Sequence, residues 1–460
     1  MALVLPLTLL VGLACLLLLA SPHPYLAPLV IPGLAGLILL YRQPAWGLLI
    51  LFAMVPLEGL VAGSPGITAS KLLGAAMIAI LVLQLLLKQL PPARLRSNLW
   101  PLLLGFIVCY LLSFACTDSL EWSLRDLRYL SVGLAIFLLT LAFSRDLDLM
   151  LLAKVVTLSV AASCVPTLLS DARQVDARAV GLLADPNYFA LLLCIAFPLG
   201  LMLLLRAPRW PHRLLWLLPQ GLLLAGLMRS GSRSGLLVLL LILALAAWHY
   251  RADIRRLLPR HFGWLILALA VAVPLAPALL PDSFVQRLEA LTSLKAGARG
   301  HVDPSLSRRT AYLMVGAGII QENPLLGSGP GTFPVHYGRT GYSPAFADLP
   351  VPEELLREAH NTYLGMLSEI GLPGGLLFIG LVVLSLRNFQ YARRHWLSRG
   401  DPQRTALATH LGLACVALAC FLAFLSIPSH KYLWAMFALS SWVRLQTRED
   451  KDDLPSEVRP

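Results

Sequence analysis

The sequence predicts an all-α polytopic integral membrane protein, and three observations carry that expectation. Only 13% of the 460 residues are charged and 57% are hydrophobic, whereas an ordinary soluble domain carries about 25% charged residues. Mean hydropathy is +0.73. Apolar runs near the ~20 residues needed to cross a bilayer recur along most of the chain. A cytosolic enzyme, a DNA-binding protein and a disordered scaffold are excluded by this balance. The net charge of +12 fits basic loops that set membrane topology, with no nucleic acid among the expected partners.

Candidate spans fall at 2–20, 25–41, 45–62, 68–88, 98–116, 127–143, 149–169, 188–205, 213–228, 234–250, 263–280, 361–386, 405–427 and 430–446. Allowing short or adjacent runs to merge, about 12–14 transmembrane helices are expected. The first run has no Lys or Arg ahead of it, so a retained helix is expected there and not a signal peptide. The seven cysteines lie in or beside apolar segments and form no CxxC pair. Neither a disulfide framework nor a zinc site is supported.

Short basic loops orient the chain: RAPRWPHR (206–213), RADIRRLLPRH (251–261), 387–404, and Lys88 with Arg94 and Arg96. The positive-inside rule makes these cytoplasmic, with both termini. Segments 117–126, 170–187, 229–233 and 281–359 then face outward. The expected organisation is N-terminal transmembrane helices (1–280), a large periplasmic loop (281–359), C-terminal transmembrane helices (360–446) and a cytoplasmic tail (447–460). Function is expected on the outer face, where the long loop covers the helix ends. Glu58 and Lys71 lie near the outer ends of adjacent spans, at pairing distance by topology. Asp146-Leu-Asp148 has a DxD shape but falls in a short cytoplasmic turn, which argues against a nucleotide-sugar site.

Four outer segments carry candidate chemistry. In GLLADPNYFA (181–190), Asp185 is suited to cap a helix with Pro186 at its first position. That cap does not account for Asn187, a candidate for substrate contact, or for the upstream Arg173 and Arg178. In MRSGSRSGLL (228–237), Ser232 or Ser234 can cap the next helix. Arg229 and Arg233 stand there against the positive-inside trend, and guanidinium forks grip phosphate oxygens. An amphipathic helix is expected over Arg308–Gln321, followed by the glycines 327, 329 and 331 of ENPLLGSGPGTF, read as a structural turn. In REAHNTYLGMLSEIGLPGG (357–375), His360, Asn361 and Glu369 approach the membrane. Nine helical residues place His360 and Glu369 on opposite faces about 13 Å apart, so no dyad is expected. A carboxylate at that depth is nevertheless a functional suspect. No HExxH, GxSxG or Walker A pattern occurs.

Taken in order, ADPNYFA (184–190), GSRSG (231–235), Arg309 ahead of NPLLGSGPGTF (323–333) and HNTYLGMLSEIGLPGG (360–375) resemble the O-antigen ligase and polymerase superfamily of bacterial envelope glycan transferases. The motifs span 184–375. The resemblance implies a multi-pass protein of the inner membrane with a periplasmic active site. It implies a glycan donor carried on undecaprenyl diphosphate and an acceptor that is lipid A core or a growing glycan. Catalytic roles carry over to Arg233, Arg309 and His360, with Asn187, Arg178, Arg229, Asn361 and Glu369 as substrate-binding candidates. No metal and no cofactor are expected. One departure is Leu313, which stands where relatives often place Trp.

Between the superfamily's branches the chain leans to the ligase type. O-antigen polymerases often show Arg followed eleven positions later by Gly in two outer loops, and no outer-loop arginine here has that spacing. A single dominant outer loop points the same way, although exopolysaccharide polymerases share it. A lipid-linked glycan transporter is a further alternative. It would require ionisable groups along a transmembrane path, whereas these cluster at the outer surface.

Overall fold

The computed structural model describes residues 12–13, 16–17, 19–20, 22, 24–58, 68–170, 174–175, 178–256, 304–347, 351 and 355–452. The expected spans at 2–20 (in large part) and 263–280, and the loop portion 281–303, lie outside these residues. The described chain is helical apart from one antiparallel pair of two-residue strands, β1 (Gln174–Val175) and β2 (Arg178–Ala179). It is an all-α polytopic membrane protein.

The helices are α1 (Val30–Arg42), α2 (Pro44–Met54), α3 (Ala69–Leu86), α4 (Trp100–Ser113), α5 (Leu120–Phe143), α6 (Leu149–Leu169), α7 (Pro186–Arg206), α8 (Trp210–Ser230) and α9 (Arg233–His249). Beyond the gap come α10 (Pro304–Glu322), α11 (Phe333–Gly338), α12 (Tyr342–Ala345), α13 (Thr362–Glu369), α14 (Gly371–Ser398), α15 (Pro402–Phe421) and α16 (Lys431–Asp452). Among the described residues, α3, α5, α6, α7, α14 and α15 are long and apolar enough to cross a membrane. The runs expected at 25–41 and 45–62 form a pair bent by 110°. The bend falls at Gln43, because a residue before proline is kept out of the helical region; Gln43 has φ −136° and ψ 70°.

A second departure matters more. The single span expected at 361–386 is two helices, broken after Glu369. Gly371 begins α14 with φ +74°, a left-handed backbone that glycine adopts without steric cost. Residues 357–361 are irregular, and α13 starts only at Thr362. The amphipathic helix expected at 308–321 is α10. Asp185 caps α7 and Ser232 caps α9, each through its side-chain oxygen.

Apolar on all faces, α7 is buried among α6, α8 and α15, the place such a helix must occupy. Small residues let the backbones approach. Gly226 of α8 faces Cys164 of α6 and Phe189 of α7, and Gly133 of α5 lies against the Trp434 indole of α16. Leu214, Leu215, Leu217 and Leu218 of α8 are exposed and form a lipid-facing side.

Polar contacts gather at the two ends of the bundle. At one end Arg94 pairs with Asp146, Arg145 with Glu449 (3.0 Å) and Arg404 with Asp450 (3.2 Å). Asp148 there caps α6 through Met150 N (2.8 Å), so the DxD-shaped pair is structural. The basic turns 206–210, 250–256 and 399–401 belong to this end. The candidate motifs belong to the other, where Glu58 also pairs with Lys431.

The glycine-rich segment 323–332 zips onto the α13–α14 break. Ser328 N donates to Ser368 O (3.0 Å), Gly329 N to Glu369 O (2.9 Å) and Leu372 N to Pro324 O (2.8 Å). A Cβ on Gly371 would stand 2.2 Å from Leu325 O. Gly371→Ala therefore combines a left-handed alanine, about 1–2 kcal/mol, with a backbone clash. We expect a loss of at least about 2 kcal/mol in total, read as a lowered melting temperature of the purified protein in detergent.

Candidate active site

His360 is one of two described non-glycine residues with positive φ, at 46°. Such a backbone persists only where its surroundings overdetermine it. Thr362, 1% exposed, supplies the constraint. Its N–H donates to Leu422 O (2.7 Å) and Leu425 O (3.0 Å). Its hydroxyl donates to Leu425 O (2.6 Å) and accepts from Ile427 N (2.9 Å). Asn361 caps α13 by accepting from Leu364 N (3.2 Å). The residues just after His360 thus fasten it to the turn that follows α15.

The imidazole itself lies 5.6 Å from the ring of Tyr312 on α10. Tyr312 is packed in turn against Phe333 and Tyr337. One turn back on α10, the Arg309 guanidinium rests 5.5 Å from the Phe424 ring, so α10 docks on the same turn that holds Thr362. Burial pushes the His360 pKa below its ordinary value, and the charges of Arg309, Arg357 and Arg308 push it further; Asp185 opposes them. This lowering favours the neutral imidazole, the form that accepts a proton.

The third motif region joins β2, α7 and the α8–α9 turn. Arg178 Nε donates to Ser230 O (2.9 Å) and a terminal nitrogen to Asn187 Oδ1 (3.0 Å), which also accepts from Ser232 Oγ (2.9 Å). Asp185 accepts from Asn187 N (2.7 Å) and Tyr188 N (2.9 Å). Gly231 closes α8 with φ 57°, Arg229 stands in its last turn, and Arg233 is the first residue of α9. Tyr188 OH donates to Ser426 O (2.9 Å), tying this region too to the turn after α15.

Glu358, Ala359 and Thr362, which flank His360 in sequence, line a cavity of about 460 Å³. Trp122, Arg125, Asp126, Tyr188, Glu358 and Glu369 are among its walls. Glu369, 7% exposed, accepts from Phe333 N (2.9 Å). It lies outside the spanning helix α14. Its burial, then the Asp126 charge, push its pKa up to about 8 against the hydrogen bonds from Phe333 and Gly331. Tyr110 OH donates to Asp126 (2.7 Å). The protein around Glu358, and then Asp126, raise the Glu358 pKa as well, with Arg125 opposing. Among the described residues, no group of three or more His, Cys, Asp or Glu side chains is arranged to hold a metal ion.

The predicted residues therefore fall into two groups and a border. His360 and Arg309 meet around Tyr312 and Phe424, with Arg308 and Arg357. Arg178 and Asn187 meet at the Ser232 cap beside Arg233, and Asp185 acts electrostatically on His360 from that side. Glu369 lines the cavity, and His360 is not among that cavity's walls. Arg357, Arg125, Asp126, Glu358 and Thr362 were not singled out by the sequence. Arg125 and Asp126 stand in RDLRY at the mouth of an apolar run, where unpaired polarity was the only signal.

Residues 220–379 match the family model Wzy_C, described as O-antigen ligase. This region is a domain of the O-antigen ligase and polymerase superfamily. It contains Arg229, Arg233, Arg309, His360, Asn361 and Glu369, while Arg178 and Asn187 lie ahead of it. No curated protein matches the chain. The matched domain supports a membrane enzyme of the O-antigen ligase or polymerase type.

Replacing Thr362 by Val keeps the shape but removes the acceptor for Ile427 N and the donor to Leu425 O. An unsatisfied buried group costs about 1–3 kcal/mol. We expect that loss in a detergent melt, together with a larger fall in transfer activity than the melt accounts for, because His360 loses its anchor.

Proposed function

We propose that the protein transfers a glycan from undecaprenyl diphosphate to an acceptor hydroxyl on the periplasmic face of the bacterial inner membrane, as a ligase acting on lipid A core or a similar acceptor. The observation that carries this reading is the imidazole of His360, held by the Thr362 bonds and set against Tyr312 on the helix that also bears Arg308 and Arg309. A neutral histidine is a base suited to an alcohol, and guanidinium groups suit a diphosphate.

In the proposed reaction His360 takes the proton of the acceptor hydroxyl as its oxygen attacks the anomeric carbon. The carbon–oxygen bond to the diphosphate breaks, and its electron pair leaves with the lipid diphosphate. Arg309 and Arg233 offset the charge that develops there. Direct displacement inverts the anomeric centre. Arg178, Asn187 and the Ser232 cap hold the α8–α9 turn that presents Arg229 and Arg233. The ligase reading rests on the single large outer loop and the missing Arg–Gly spacing. A polymerase of the same superfamily is the second reading.

A chromosomal His360→Ala variant is expected to lose at least about 100-fold in transfer, the usual share of general-base catalysis. Resolved on a gel, ligase loss leaves long polymer on the carrier and bare core, whereas polymerase loss leaves single repeats attached. Unchanged glycan rejects the assignment of the base. The pH profile gives a separate check. The base works when neutral, so kcat/KM should fall only as pH drops through a His360 pKa lying below the ordinary histidine value. Arg309→Gln removes a neighbouring cation and should move that acid limb to higher pH, whatever it does to the maximum rate.

A further inference from the structure

At the end of the bundle away from His360, a cavity of about 950 Å³ opens between α7, α9, α14 and α15. Its apolar wall includes Leu205, Leu243 and Leu397, each itself exposed. Arg206, Arg251 and Arg393 stand at its rim. Three guanidinium groups beside apolar surface call for anions, since a cation near hydrocarbon is costly unless paired. Among the described residues none of the three forms an ion pair, and Arg393 Nε is buried without a hydrogen-bond partner. Arg251 lies on the Trp248 ring at 4.7 Å and donates to Trp248 O (2.9 Å). Of the two acids in the lining, Asp401 is committed to capping α15 through Gln403 N and Arg404 N. Asp253 is the other.

We propose that this cavity binds an anionic phospholipid, its phosphate among Arg206, Arg251 and Arg393 and an acyl chain along Leu205, Leu243 and Leu397. Charge complementarity selects this occupant over a zwitterionic lipid, and the apolar wall selects it over a free anion. Basic pockets between helices on the cytoplasmic side are suited to acidic headgroups, and the positive-inside orientation places this end there. The site is independent of glycan transfer: none of its residues belongs to the His360 region.

The test uses the full-length protein in neutral detergent, titrated with phosphatidylglycerol, phosphatidylcholine or inorganic phosphate, with binding followed by native mass spectrometry and melting temperature. Phosphatidylglycerol should bind and stabilise, and the other two should not. Arg206→Gln with Arg393→Gln should weaken binding roughly 30-fold, at the strength expected for two basic residues near a lipid headgroup. Should that double variant not fold, Arg251→Gln, on an exposed side chain, reads the same site with about a fivefold loss. Equal binding of phosphatidylcholine, full stabilisation by phosphate alone, or affinity unchanged in the variant that folds would each overturn the proposal.

Discussion

The architecture of the His360 region hangs on one turn, residues 422–427 after α15. Its carbonyls and one N–H close on Thr362, its Ser426 carbonyl receives Tyr188, and its Phe424 ring carries Arg309. Three motifs from distant parts of the chain are therefore brought together by groups that belong to none of them. The left-handed His360 is the strained product of that convergence, and it survives because each neighbouring bond is buried and satisfied.

The glycine-rich segment works in the same way on the other flank. A phosphate-binding loop points its N–H groups at a ligand; here Ser328 N and Gly329 N point at the carbonyls of Ser368 and Glu369. The glycines admit a backbone-to-backbone approach that a Cβ would forbid, and the break between α13 and α14 is the surface they approach. That break leaves Glu369 outside the spanning helix and inside a cavity, next to Asp126 and Glu358. Buried carboxylates facing one another there favour protonation, and a protonated carboxyl donates hydrogen bonds as well as accepting them.

The bundle separates its charges by end. Basic turns and the pairs Arg94–Asp146, Arg145–Glu449 and Arg404–Asp450 occupy the end away from His360, while Glu58–Lys431 and Asp118–Arg339 pair at the other. At the His360 end Arg309 rests on the Phe424 ring, Arg178 bonds Ser230 and Asn187, and Arg339 pairs with Asp118. The charges of Arg309, Arg357 and Arg308 act on His360 from this end.

Local features were legible in the sequence. The caps at Asp185 and Ser232, helix α10, the glycine turn, the segregated basic loops and the isolated outer arginines all follow from spacing, propensity and composition within a few residues. What escaped it depends on partners far along the chain. Thr362 reads as an ordinary helix-start residue until Leu425 and Ile427, 63 and 65 positions away, arrive beside it; Tyr188 meets Ser426 across 238. The break at Gly371 hid inside an unbroken apolar run, because hydropathy does not register a left-handed backbone. By itself the sequence determined the membrane class and most of the described helices, and it marked the polar residues at their ends. Only the tertiary structure decided which of them share a site, because burial and hydrogen bonding between distant segments, unlike periodicity, are set when the chain closes on itself.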